Sequence, residues 1–220
     1  MVINVEGLLF LAIALLLGLM GLLVLLKNRS LANKAFSTSA LSLMIFCFLL
    51  ALRSMDVMFP TPDYVINSVI IVAMYGLAPV GIMYCSFIIL YGEYYLKNPQ
   101  LAIMTAIYYV IYLIPVTINV LYDDLLTVGL EIALENLFVG LVIITTAVNF
   151  YKVSRLADEL RRNLSILVVG LVIILVGTSS YGLLNLLQME DFAFVGLTII
   201  VIGFVLCNVA FLLRPVEKEV

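Results

Sequence analysis

Two glutamates, four residues apart, stand near the start of a long apolar stretch in the segment GLEIALENLF, which runs from Gly129 to Phe138. On a helix, Glu131 and Glu135 share one face and are about one turn apart. If the stretch crosses a membrane, Glu135 lies deeper, where an ionised carboxylate costs on the order of 2–3 kcal/mol. We therefore expect Glu135 to face the interior of a helix bundle or to be protonated, and Glu131 to lie at the membrane interface.

Arg53 is the candidate partner of Glu135, because it is the only basic residue on the same side of the predicted bundle. Asp56 is close to Arg53 in sequence and competes for it. One interpretation is an outward-facing polar pocket in which Arg53, Glu135 and Asn136 bind a ligand or an ion. The other is a structural ion pair between the second and fifth spans. In both cases, removal of one partner leaves an uncompensated buried charge and destabilises the protein.

The segment GTSSYGLLN forms a second polar cluster in the sixth span. Its candidate ligand-binding residues are Thr178, Ser179, Tyr181 and Asn185, which would line the same outer cavity as the first group. The alternative is that these small and hydroxyl-bearing residues let membrane helices pack closely and hydrogen-bond to one another.

The segment YKVSRLADELRRN is the longest charged stretch on the opposite side. Charged residues at spacings of three and four predict that the fifth span extends as a helical turn or two beyond the membrane. A surface that binds a cytoplasmic or membrane partner would use Lys152, Arg155, Arg161 and Arg162. The alternative is a solvated loop beside anionic lipid.

The elements that position these residues follow from composition. The chain has 220 residues, of which 65% are hydrophobic and 11% are charged, compared with roughly 45–50% apolar residues in an average soluble domain. A span needs roughly 20 apolar residues. The sequence predicts one all-α domain over residues 1–220, a seven-helix bundle with spans at Gly7–Leu26, Ala35–Leu52, Tyr64–Leu90, Leu101–Leu121, Leu130–Phe150, Leu164–Leu187 and Phe192–Leu213.

Charge predicts the orientation of this bundle, because loops rich in Lys and Arg stay in the cytoplasm. The basic residues of one side are Lys27, Arg29, Lys34, Lys97, Lys152, Arg155, Arg161, Arg162, Arg214 and Lys218. The acidic residues of the other are Glu6, Asp56, Asp63, Asp123, Asp124, Glu131, Glu190 and Asp191. We expect a multi-pass protein of the cell membrane, in contact with the lipid bilayer, with its N-terminus outside and its C-terminus in the cytoplasm. No pattern typical of nucleic-acid binding is present.

Several kinds of chemistry are disfavoured by what the sequence lacks. It has no histidine, and its three cysteines are scattered among the spans, so we expect no metal site, no cofactor and no enzyme activity. It also has no Walker-type nucleotide-binding loop. The seventh span, FAFVGLTIIVIGFVLCNVAFLL, contains no lysine, which excludes a retinal Schiff base there.

Two stretches resemble a known module. They are NRSLANKAFSTSALSLMIFCFLLAL and VIIVAMYGLAPVGIMYCSFIILYGEYY, the latter with Tyr75, Gly76, Pro79, Phe87 and Tyr91. The pattern is similar to the seven-helix N-terminal sensory region of prokaryotic membrane histidine kinases and related signalling proteins. In that family the seventh helix leads into output domains, whereas this sequence ends at RPVEKEV. The resemblance implies a sensory module that signals through a separate partner, and no catalytic residues.

The sequence thus predicts a receptor-like module for signal transduction with an outward-facing polar pocket for a small-molecule ligand. The alternatives are a small transporter or channel, and a membrane scaffold or subunit of a larger complex. No sequence similarity between the two halves of the chain supports a transporter. The tyrosines that lie near span ends are expected to form an interfacial belt. Pro79 and Pro115 are expected to kink their spans.

Overall fold

A computed structural model describes residues 5–27, 30–54, 64–121, 127–156, 160–187 and 189–213. Within these ranges, almost all residues are helical, and seven helices are long and apolar enough to cross a membrane. A short 3₁₀ helix, Glu93–Lys97, follows the third. The helices are α1 Val5–Lys27, α2 Leu31–Ser54, α3 Tyr64–Tyr91, α4 Pro99–Leu121, α5 Val128–Leu156, α6 Arg161–Leu186 and α7 Glu190–Leu212.

The prediction of a seven-helix bundle is confirmed, and the helix bounds agree with the predicted spans to within a few residues for most ends. The clearest extension is at α5, which continues to Leu156, six residues past the predicted end at Phe150. That extension was expected from the spacing of charges in the segment that follows. Because the helices are apolar along lengths that match a bilayer, the protein is a multi-pass membrane protein.

Six of the helices form a ring and α4 lies outside it. Contacts join α1 to α2, α2 to α3, α3 to α5, α5 to α6, α6 to α7, and α7 back to α1. Helix α4 packs against the outside of α3 and α5. We name the two ends of the bundle after residues that lie there: the Glu131 end, where Asn119 of α4 donates to Glu131 of α5, and the Lys27 end, where α1 meets the end of α7.

Glycines let neighbouring helices approach closely, most clearly at α6 and α7. A Cβ atom built on Gly177 would lie 2.7 Å from the backbone nitrogen of Ile200, and one on Gly203 would lie 2.7 Å from the carbonyl oxygen of Gly170. Any side chain there would push the two backbones apart. The segment GTSSYGLLN of α6 therefore packs closely against α7 through Gly177. This agrees with the interpretation that its small residues let membrane helices approach one another.

Candidate functional site

Glu135 lies inside the bundle. Its side chain is only 5% exposed, and its Oε1 atom is buried without a hydrogen-bond partner among the described residues. The expectation that this glutamate faces the bundle interior is confirmed. A buried polar atom without a partner costs about 1–3 kcal/mol of stability, and more if the group is charged. Oε1 of Glu135 is therefore an energetically costly, unsatisfied polar atom.

Arg53 does not supply the missing partner. It is exposed at the end of α2, and within the described part of the chain no ion pair joins it to Glu135. The predicted pairing of these two residues is therefore not formed.

Asn136 connects three helices next to Glu135. The hydroxyl of Tyr75 on α3 donates to Oδ1 of Asn136 over 2.8 Å, and Nδ2 of Asn136 donates to the carbonyl of Ile132 over 2.7 Å. A Cβ atom on Gly182 of α6 would lie 3.2 Å from the Cβ of Asn136, so the asparagine packs in the space that this glycine leaves. The joint is buried, which makes its hydrogen bonds costly to break.

Three tyrosines of α4 hold that helix to α3. The hydroxyls of Tyr108, Tyr109 and Tyr112 donate to backbone carbonyls of α3, those of Gly76, Ala73 and Val72, over 3.3, 2.8 and 2.9 Å. These carbonyls lie one to two turns before Pro79, which cannot donate a backbone hydrogen bond and so weakens the helix there. The tyrosines therefore support α3 at its weakest point.

Tyr112 lies in the middle of α4 and is fully buried. Its ring packs where Gly76 has no side chain. Tyr108 and Tyr112 are four residues apart and share a face of α4, and both lie within electrostatic range of Glu135, as does Tyr75. The sequence contained a signal for the packing of Tyr112 against α3. Two tyrosines of the fourth span are four residues apart, and the third span has a glycine three residues before its proline. We call Tyr75, Tyr108, Tyr112, Glu135 and Asn136 the Glu135 junction.

The candidates on α6 divide between the interior and the surface. Thr178 and Asn185 are buried, Tyr181 is half-buried and within electrostatic range of Tyr75, and Nδ2 of Asn185 donates to the carbonyl of Tyr181 over 2.7 Å. Ser179 is exposed. It lies outside the proposed pocket because its position on the helix turns it away from α5 and α7.

A cavity lies at the centre of the ring, deeper than the Glu135 junction. It is small, with room for about one water molecule, and it is lined by side chains of α2, α3, α5, α6 and α7, among them Leu43, Tyr75, Pro79, Val139, Thr178 and Phe204. Its accessible lining is apolar. The hydroxyl of Thr178 donates to the carbonyl of Leu175 and that of Tyr75 to Asn136, so the polar groups of the wall are already engaged.

The basic candidates at the Lys27 end are all exposed, as a partner-binding surface requires. They are Lys152 and Arg155 on the last turns of α5 and Arg161 and Arg162 on the first turn of α6. The guanidinium of Arg155 also lies over the ring of Tyr151, 5.1 Å from its centroid, and Nη2 donates to the tyrosine hydroxyl over 2.6 Å.

Comparisons of the chain with protein-family models, with curated proteins and with solved structures found no match. Within the described residues, no group of three or more cysteine, aspartate or glutamate side chains is placed to hold a metal ion. Among the described residues, the two polar features that could bind a ligand or a partner are therefore the Glu135 junction and the basic surface at the Lys27 end.

Proposed function

We propose that this protein is a ligand-responsive membrane module that binds a small molecule or ion at the Glu135 junction and signals through a separate partner. The observation that carries the proposal is the buried Oε1 of Glu135, which has no hydrogen-bond partner among the described residues. Ionisable side chains inside membrane bundles are costly and are retained chiefly for function. A ligand that supplies a positive charge or a hydrogen-bond donor would meet the requirement of this carboxyl group.

A ligand bound at Glu135 would lie next to the contacts that hold α3, α4 and α5 together. Tyr75 and Asn136 link α3 to α5, and Tyr108 and Tyr112 link α4 to α3 beside Pro79. If these helices can adopt two arrangements, a ligand that binds one of them more tightly shifts the equilibrium towards it. The size of the shift is set by the difference between its two binding free energies. Because α5 runs from Glu135 to the basic surface at the Lys27 end, a shift of α5 would be presented to a partner there.

The proposed orientation has the N-terminus outside and the C-terminus in the cytoplasm of a prokaryotic cell. It is supported by the segregation of Lys and Arg to one side of the sequence and by the resemblance to the sensory region of membrane histidine kinases. In intact cells, a membrane-impermeant thiol reagent should modify Thr127→Cys, at the Glu131 end, and leave Arg161→Cys unmodified. The reverse pattern would overturn the orientation.

The ligand proposal is tested by native mass spectrometry of the protein extracted from membranes. A small molecule or ion bound to the wild type should be lost in Glu135→Gln, which removes the charge with little change in shape. The matched control is Glu93→Gln, which removes the same charge from an exposed position at the other end of the molecule. Equal retention in both variants would contradict a role for Glu135 in binding.

The stability of a Glu135→Leu variant distinguishes a role of Glu135 in ligand binding from a structural role. Replacement of a buried polar group whose hydrogen-bonding needs are unmet by an apolar one of similar size is neutral or stabilising. Because Oε1 of Glu135 has no partner among the described residues, Glu135→Leu should fold and remain at least as stable as the wild type. If Glu135 instead holds the bundle together, the same substitution should destabilise it strongly. A Glu135→Leu protein that unfolds more easily, together with a wild type that carries no ligand, would refute the proposal.

A further inference from the structure

Each hydrogen-bond donor group of the Glu135 junction bonds to an acceptor other than Glu135. A backbone carbonyl can only accept a hydrogen bond, and a tyrosine hydroxyl has one proton to donate. The hydroxyl of Tyr108 uses its proton on the carbonyl of Gly76. The hydroxyl of Tyr112 uses its proton on the carbonyl of Val72. Both hydroxyl oxygens therefore offer only lone pairs to a further ligand.

The amide of Asn136 and the hydroxyl of Tyr75 are engaged with each other. The atom of Asn136 that lies 2.7 Å from the carbonyl of Ile132 is Nδ2, because that carbonyl needs a donor. Oδ1 of Asn136 consequently faces Tyr75, whose hydroxyl donates to it over 2.8 Å. The tyrosines within electrostatic range of Glu135 thus present oxygen acceptors, and among the described residues no donor reaches Oε1 of Glu135.

The helices that pack most closely against α5 bring no cationic side chain to the level of Glu135. These helices are α3, α4 and α6. Helices α3 and α4 contain no charged residue, and the charged residues of α6 are Arg161 and Arg162, in its first turn at the Lys27 end. The nearest basic residue of α5 itself is Lys152, about 25 Å further along the helix axis. These helices therefore provide no positive charge that would compensate an ionised Glu135.

The space beside the junction limits the size of an occupant. The cavity that borders it, lined by Tyr75 and Val139, has room for about one water molecule. On the side of α6, a Cβ atom on Gly182 would already lie 3.2 Å from the Cβ of Asn136. Because the accessible lining of the cavity is apolar, a charged occupant would bind at the oxygens of the junction. Such an occupant has the size of a single atom, which excludes an organic body.

We propose that the ligand of the Glu135 junction is a dehydrated monovalent metal cation such as sodium. It binds Oε1 of Glu135 together with hydroxyl and amide oxygens of the junction, those of Tyr75 and Asn136 among them. Hard cations prefer oxygen ligands, and carboxylate and carbonyl groups suit them. This inference rests on the proposed binding at the Glu135 junction and adds to it the class of the ligand.

The charge of the junction favours a monovalent ion over a divalent one. The junction contains one carboxyl group, so one positive charge neutralises it, whereas a divalent ion would leave a net charge buried. The neighbouring carboxylate of Glu131 accepts a hydrogen bond from Asn119 and lies about one helical turn from Glu135. A cation bound between Tyr75 of α3 and Glu135 of α5 would join these two helices and stabilise the folded protein.

The inference is tested by thermal unfolding of protein purified in N-methyl-D-glucamine chloride, a salt whose organic cation is too large for the junction. Sodium chloride then replaces this salt at constant total chloride, so that the ionic strength does not change. A cation that binds only the folded protein raises its Tm. For the wild type we expect a rise of about 3–5 °C for each tenfold increase in sodium above the Kd.

Variants at Glu135 show whether the sodium effect arises there. Glu135→Gln should remove the dependence of the Tm on sodium, and Glu135→Asp, which keeps the charge, should retain it at higher sodium concentrations. The matched control Glu93→Gln removes an exposed carboxylate at the other end of the molecule and should respond as the wild type does. If Glu135→Gln does not fold, Glu135→Leu takes its place. A sodium response that persists without the carboxylate would overturn the inference.

Two further results would refute a monovalent cation as the ligand. If sodium, lithium and potassium all leave the Tm of the wild type unchanged, a proton or a water molecule satisfies the carboxyl group, and the inference fails. If calcium acts through Glu135 at lower concentrations than sodium does, the charge argument is wrong, and the inference also fails. After the first result, the proposed function stands only if native mass spectrometry finds another bound molecule that Glu135→Gln loses; after the second, binding at Glu135 stands with a divalent ligand.

Discussion

The attachment of α4 to α3 gives the sharpest prediction for stability, through the substitution Gly76→Ala. The new Cβ atom would overlap Cε1 of Tyr112 and lie 2.7 Å from Cδ1 and 2.9 Å from Cζ of the same ring, where ordinary contacts are near 3.4 to 4 Å. Because the ring of Tyr112 is fully buried, it has no free space to enter. Helix α4 must therefore move by about 1 Å or the ring must leave its rotamer.

Three contributions set the size of the effect. Overpacking of this kind costs about 1–3 kcal/mol, and displacement of α4 weakens three hydrogen bonds worth about 0.6 kcal/mol each. The higher helix propensity of alanine returns about 1 kcal/mol. The net expectation is a loss of about 2 kcal/mol in the free energy of unfolding.

The assay is reversible unfolding in mixed micelles of SDS and a mild detergent, followed by circular dichroism. The matched control is Gly140→Ala, where the only side-chain atom near the new Cβ is Cδ1 of Leu175 at 3.3 Å, the movable end of a flexible side chain. Gly140→Ala should be neutral or slightly stabilising. A further change, Tyr112→Ala, should reduce the cost of Gly76→Ala when the two are combined. Equal stability of the two alanine variants would refute this account of α3 and α4.

Two further substitutions test the other joints of the bundle by the same unfolding assay. Tyr75→Phe should lower the free energy of unfolding by about 1–2 kcal/mol, because it leaves Oδ1 of Asn136 buried without its donor. Tyr108→Phe loses a longer hydrogen bond to a helix carbonyl and should cost less than half as much. The opposite order would show that Asn136 does not depend on Tyr75. Gly203→Leu should prevent close packing of α6 and α7, and it should lower the free energy of unfolding by more than about 4 kcal/mol or abolish folding. A variant of near wild-type stability would contradict the backbone contact between Gly203 and Gly170.

Individual site residues were predicted with uneven success, for reasons that differ in kind. The burial of Glu135 followed from the cost of exposing a carboxylate to lipid, which depends only on depth along the apolar stretch. The pairing of Glu135 with Arg53 required knowledge of which helices are neighbours and how each is rotated, and among the described residues no hydrogen bond reaches Oε1 of Glu135. Ser179 and Thr178 are adjacent in sequence, yet they lie outside and inside the bundle, because successive residues of a helix point about 100° apart.

The sequence by itself determined that the chain is a bundle of seven membrane helices, approximately where each begins and ends, and that Glu135 lies inside. Those features depend on hydrophobicity and local spacing, which are properties of each segment alone. Only the tertiary structure decided that α4 lies outside a ring of six, that Tyr112 fills the space beside Gly76, and that Tyr75 donates to Asn136 next to Glu135. These features depend on which helix surfaces meet, and in lipid that choice is made by close packing and hydrogen bonding between helices rather than by hydrophobicity.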